Sequence, residues 1–152
     1  MTHKTCCIFG QEKMSVKKQD QIYKLLYDKI EELIKDGFTN FIFDWKCEFS
    51  FVVASAILKL NKMYPNIKRI YYQAYEMEDI DLLRYGYDEI IPPFKNVPES
   101  NAVAYRNHSM VDNSDYCIFY VNTKPSDAKK AMRFAKNLNK PYVNLYTFVQ
   151  LL

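Results

Sequence analysis

The sequence predicts an α/β protein: a Rossmann-like, doubly wound, mostly parallel sheet of about five to six strands with helices on both faces. Three observations carry this expectation. Short β-favouring apolar runs alternate with longer stretches whose apolar residues recur at helical spacing. The run YCIFYV at 116–121 lacks polar alternation, as suits an inner strand of a parallel sheet covered on both faces. The chain has 152 residues, 49% hydrophobic and 26% charged, enough for one core and hence one domain over 1–152.

Taken in order, TCCIF at 5–9 is a first strand that stops at Gly10. Ser15 is placed to cap the helix that follows. Ile22, Leu25, Leu26, Ile30, Leu33 and Ile34 fall on one face of a helix over 16–36, and Gly37 ends it. FTNFIFDW at 38–45 is the second strand. A second helix covers 50–62, with Ser50 as its N-cap, and Pro65 prevents its continuation. IKRIYY at 67–72 is the third strand. Residues 76–81 form an acidic linker opening a short helix that ends by 87, and DEII at 88–91 a short strand. Pro92, Pro93 and Pro98 make the next stretch irregular. A helix over 101–111 leads to a polar corner and the strand at 116–121. A helix over 126–138, a last strand at 141–145 and a short piece at 147–152 complete the chain.

Composition narrows the function classes. No apolar run approaches the ~18 residues a membrane helix needs. The N-terminal stretch has no small-residue cleavage site, so no signal peptide is expected and a cytoplasmic location is. The net charge of +3, with Lys and Glu interspersed, is too mild to argue for nucleic acid on its own, so nucleic acid is not the expected partner. Cys6, Cys7, Cys47 and Cys117 show no CxxC spacing and no paired His, so no metal site is expected and all four read as reduced thiols. The densest polar constellation is Arg106, Asn107, His108, Asp112, Asn113 and Asp115, beside a core strand. Open α/β sheets hold ligands at strand ends, so this corner is read as part of a pocket. His108 is the one His placed to act as a general base.

Three segments in this order, TCCIFG, YPNIKRI and YRNHSMVDNSDYCIFYVN, resemble the YpsA-like branch of the SLOG superfamily. That superfamily is Rossmann-like and includes DNA-processing protein A and the Lonely-guy phosphoribohydrolases. The resemblance covers nearly the whole chain, and its most specific part is RNxxMVDxSD at 106–115. It implies a ligand-binding set of Gly10, Gln11, Glu12, Asp44, Ser50, Arg106, Asn107, Asp112, Asn122 and Ser126. It also implies that a homodimer is to be expected.

The departures from the family pattern are physical. Where the family runs from the first strand into Gly-His-Arg, this chain has Gly10-Gln11-Glu12. Where it carries GxxxGxD, this chain has Asp44 to Ser50, with both glycines acidic and the Asp replaced by Ser. Where it shows Gly-Gly-Thr, this chain has Ser126-Asp127-Ala128. Glycine lets backbone N–H groups approach a phosphate, and a helix N-terminus attracts it. Asp44, Glu48 and Asp127 oppose both effects, each by about 1 kcal/mol or more. Asp44 and Glu48 with Glu12 could also bind a cation, although solvated turn carboxylates are the preferred reading of them. The resemblance therefore implies a binding or sensor protein for a small nucleotide-derived ligand, with an altered pocket and no cofactor. The alternative is a non-catalytic protein acting through protein contacts, with Tyr71, Tyr72, Tyr75 and Tyr87 exposed. The PGGxGTxxE run of the phosphoribohydrolases is absent, so hydrolysis of a nucleoside monophosphate is not supported and no catalytic residue is assigned.

Overall fold

The structure is a computed structural model that describes residues 3–11, 14–45, 47–76 and 86–149. Its strands are β1 (Lys4–Gly10), β2 (Phe38–Ile42), β3 (Lys68–Tyr72), β4 (Glu89–Ile91), β5 (Tyr116–Tyr120) and β6 (Tyr142–Asn144). Its helices are α1 (Gln19–Lys35), α2 (Glu48–Met63), α3 (Ala102–Asp112), α4 (Asp127–Asn137) and α5 (Leu145–Val149). The sheet runs in the order β4-β3-β2-β1-β5-β6, and every pairing is parallel. The fold is thus Rossmann-like α/β, with the expected strand–helix alternation. The helix expected between 76 and 87 falls mostly outside the described residues.

Period-two alternation divides the strands between two cores. Cys6, Ile8, Phe41, Tyr71, Ile118 and Tyr120 face one core with α1, α2 and α5. Cys7, Phe9, Ile42, Ile70, Cys117, Phe119 and Val121 face the other with α3 and α4. Helix α1 buries Ile22, Leu26, Ile30 and Leu33, one stripe at spacings of three and four. Each such side chain withdrawn from water contributes about 1.5–3 kcal/mol. Gly37 closes α1 at φ 98°, where a side chain would strain the backbone.

Several local expectations are corrected. Ser15 makes no side-chain cap; its carbonyl instead accepts from Lys18 N at 3.0 Å in a 3-10 turn over Val16–Lys18. Strand β2 stops at Ile42 rather than 45, and α2 starts at Glu48, so Ser50 is a helical residue and not the N-cap. Tyr71 and Tyr87 are buried, not exposed; their rings lie 5.2 Å apart and Tyr87 also meets Phe43 at 5.0 Å. Tyr72 and Tyr75 are half-buried. Cys6, Cys7 and Cys117 are buried and Cys47 half-buried, all four free. Among the described residues no helix is long and apolar enough to cross a membrane.

Edge strand β4 is clipped to β3 by Asp88. Asp88 N donates to Arg69 O at 2.8 Å, and Arg69 N donates to the Asp88 carboxylate at 2.9 Å. Burial alone would push this carboxyl up, but the bonds from Arg69 backbone and guanidinium outweigh it and hold it below the usual range. A depressed carboxyl contributes stability above its unfolded pKa and loses it as pH falls through the folded one. Asp88→Asn should therefore melt below the wild type near neutral pH, and the gap should narrow as pH falls through and below the ordinary carboxylate range. Thermal melts across that range check this; a gap that does not change with pH sinks the assignment.

Candidate functional site

Strands β1 and β5 are neighbours, yet the chain winds away from them in opposite directions. Their carboxyl ends therefore flank the topological switch point, where open α/β sheets receive ligands. Gly10, Gln11 and Asn122 lie there. The crevice itself is filled from within. Phe49, in the first turn of α2, stacks on Tyr120 at 5.4 Å and 9°, and Tyr120 meets Tyr146 edge-on at 5.6 Å. Gly10 makes this possible: a Cβ there would lie 2.1 Å from Phe49 Cδ2. The glycine that could admit a phosphate admits the chain's own ring.

The polar groups around this stack are engaged within the chain. Gln11 N donates to Tyr120 O at 3.0 Å, and Asn122 N donates to Gln11 Oε1 at 2.8 Å, joining the two lips. Asn122 Oδ1 accepts from Lys124 N at 2.8 Å. Ser126 Oγ caps α4 by accepting from Lys129 N at 3.0 Å. Behind β2, the buried Ser50 hydroxyl donates to the Asp44 carboxylate, and Cys47 Sγ lies 3.1 Å from Ser50 Oγ. Burial pushes the Cys47 thiol up; Asp44 adds to the shift, against opposing bonds from Ser50 and Phe49, so it stays protonated at neutral pH. Glu48 Oε2 accepts from Met14 N at 3.2 Å. Glu48 and Asp127 occupy the first turns of α2 and α4, placing carboxylates at the positive helix ends. Glu12 lies outside the described residues.

The polar corner is elsewhere. Helix α3 leads into β5 from the amino side, so Asp112, Asn113 and Asp115 sit at the amino edge of the sheet. Asp115 N donates to Thr5 O at 2.7 Å, and Thr5 N donates to Asp115 Oδ2 at 2.9 Å. Thr5 and Gly10 are about 17 Å apart along β1. The structure thus does not bring Asp112 together with Gly10, Gln11, Asp44, Ser50, Asn122 and Ser126. The corner does lie beside a strand end, but that is the amino end of β5, opposite the carboxyl ends that flank the switch point. Arg106 and Asn107 are on the buried face of α3, with Arg106 Nε donating to Asn107 Oδ1 at 3.1 Å. His108 stacks on Phe134 of α4 at 4.0 Å, a packing contact between the two helices. Among the described residues no cluster of His, Cys, Asp or Glu could hold a metal ion.

A feature absent from the sequence reading lies three strands away on the carboxyl edge. A cavity of about 770 Å³ opens beyond β3 and β4, against the first turns of α3. Gln73, the residue after β3, lines it with Phe94, Lys95, Glu99, Ala102 and Tyr105. Gln73 is 6% exposed, and its Nε2 has no hydrogen-bond partner among the described residues. An unpaired buried amide group costs about 1–3 kcal/mol. Phe94 and Tyr105 stand edge to face at 6.3 Å, both exposed to the opening. The sequence signal was a polar residue directly after a core strand, hidden among a crowd of tyrosines.

The Gly10–Phe49 contact yields a test. Gly10→Ala should destabilise the fold by roughly 2 kcal/mol or more, since overpacking of a fixed ring costs in that range. In a Phe49→Ala background the same change should cost much less, because the opposing atoms are gone. Denaturant titrations of the four proteins measure the coupling; additive effects would contradict the packed crevice.

No family model matches this chain, and no curated protein does. Solved structures do. The DNA processing protein A of Helicobacter pylori, described for its single-stranded DNA binding mode, aligns at TM-score 0.64 and 15% identity over 93% of this chain. This chain spans 64% of that one, less than two thirds of its length. The molybdenum cofactor binding protein of the phototrophic bacterium Rippkaea orientalis aligns at 0.59 and 13% identity, covering 99% of this chain and 82% of its own. The structural genomics target TM1055 aligns at 0.58 and 11% identity, covering 91% and 72%. At such identities the likeness is one of fold, and it is the same Rossmann-like α/β fold that the sheet order describes.

Proposed function

We propose that this chain is a non-catalytic binding protein for a small nucleotide-derived ligand, on a SLOG-like, YpsA-like version of the fold. The ligand is taken in the cavity beyond β3 and β4 rather than at the switch point. The observation that carries this reading is Gln73: a buried side chain whose Nε2 has no hydrogen-bond partner among the described residues, in the wall of a cavity of about 770 Å³. Pockets for small molecules typically measure ~300–1,000 Å³ and combine apolar walls with a few polar groups. Tyr105 and Phe94 offer faces for a base, Gln73 an amide to read its edge, and Lys95 a cation for a phosphate.

The fold neighbours support a ligand-binding role only in general terms. One is described as binding a molybdenum cofactor and another single-stranded DNA. With a net charge of +3, nucleic acid is the weaker reading for this chain. The Phe49 ring fills the switch point whereas the distal cavity is open; Glu76 and Glu99 in its lining offset Lys95, so the base rather than the phosphate carries the fit.

Thermal shift against mono- and dinucleotides, ADP-ribose species, cyclic dinucleotides and a single-stranded oligonucleotide tests this. A ligand at about 100 times its Kd stabilises by about 2.7 kcal/mol. The expected hit weakens at least tenfold in Tyr105→Ala and persists in Gln11→Ala. Loss in Gln11→Ala alone returns the site to the switch point. No shift with any of them overturns the reading and favours action through protein contacts.

A further inference from the structure

The outer face of α2 has a pattern the ligand site does not use. Phe49, Ser50, Val53, Ala56, Ile57 and Leu60 face the core. Glu48, Phe51, Ser55, Leu58 and Lys62 recur at alternating spacings of three and four along the opposite side, and all are exposed. Phe51 is 59% and Leu58 53% exposed, large apolar side chains on a helix that already buries another face. Spacings of three and four are those of a coiled-coil seam.

The stripe is complementary to itself when reversed. If a second α2 runs antiparallel with Ser55 opposite Ser55, then Phe51 meets Leu58 of the other copy, and Glu48 meets Lys62. The two-fold repeats each contact. Ser55 at the axis is small enough for close approach. Beside the N-terminal half of the stripe lies a groove of about 330 Å³ between α1 and α2. Asp20, Tyr23, Glu48 and Phe51 are among the residues that line it. Its acidic rim and aromatic walls suit the Leu58 side chain and Lys62 ammonium of the second copy. Lys17 and Lys18, just before α1, moderate the acidity without reversing the match.

We propose that α2 is a self-association surface, on which a second copy of this chain packs its own α2 antiparallel across a two-fold axis at Ser55. The seam is about 21 Å long, so the dimer is weak and concentration-dependent. This proposal is independent of the ligand reading, since no residue of the stripe lines the cavity beyond β3 and β4.

Two measurements test it. Light scattering and sedimentation of the full chain should show a monomer–dimer equilibrium in the micromolar range, shifted at least tenfold toward monomer by Phe51→Asp. A strict monomer at all concentrations overturns the proposal. Ser55→Cys should form a disulfide-linked dimer under mild oxidation at least ten times faster than Lys62→Cys. The two 55 positions face each other at the axis, whereas the two 62 positions lie about 21 Å apart, beyond disulfide reach. Equal rates, or faster linkage at 62, overturn the register. Both sites are exposed, so circular dichroism melts should match the wild type, and the wild type reports any background from Cys47.

Discussion

The contact between Phe49 and Gly10 fixes the arrangement around the switch point. A ring placed where a Cβ would stand 2.1 Å away leaves no room for a substituted residue at the end of β1. It also brings the first turn of α2 down onto β1 and β5, where Phe49 stacks on Tyr120. Ser50 becomes an inward helical residue and needs an acceptor, which Asp44 supplies. Glu48 comes within reach of Met14 N. The carboxyl ends of β1 and β5 become a packed corner of the core.

That corner changes what the fold can do. A phosphate cradle needs free backbone N–H groups, space and a positive local field. Gln11 N and Asn122 N are both spent on partners across the crevice. The space holds an aromatic stack, and carboxylates occupy the first turns of both nearby helices. Burial holds the half-buried thiol of Cys47 protonated, and His108 stacks on Phe134. An open cavity on the carboxyl edge lies instead at β3 and β4, where the buried Gln73 Nε2 has no partner among the described residues.

The sequence made the architecture legible because the apolar pattern is strong. YCIFYV was readable as an inner strand, and Cys6 and Cys7 as residues on opposite faces, which is how the two cores divide them. Gly37 was readable as a helix stop, and it has the positive φ that makes it one. The site was less legible for physical reasons. Carboxylates at 44 and 48, where the resembled pattern has glycines, signalled a different turn, but no periodicity reveals that Phe49 fills the crevice. The corner at 112–115 looks functional because it is polar, yet its bonds tie β5 to β1 at the amino edge. Which end of a strand a loop occupies depends on chain direction through the sheet, and a motif alone does not show it. Tyr71 and Tyr87 were misread for a related reason: thirteen tyrosines give composition no power to separate packed rings from exposed ones.

The phase of α2 links the closed crevice to the opposite side of the molecule. Successive helical residues advance by about 100°. With Phe49 held against Gly10, Phe51 points about 200° away and Leu58 about 180° away, both outward. No rotation of the helix buries Phe51 and Leu58 while keeping Phe49 in the crevice. Placing them inward would also expose Val53, Ile57 and Leu60, three side chains worth about 1.5–3 kcal/mol each. The exposed stripe is therefore a necessary consequence of this sequence folded with its switch point filled. An apolar residue at an enforced outward position is neutral to the core, so the core does not account for Phe51 and Leu58. Polar side chains there would satisfy every internal contact equally well, and a seam that meets its own reverse gives those two residues a partner.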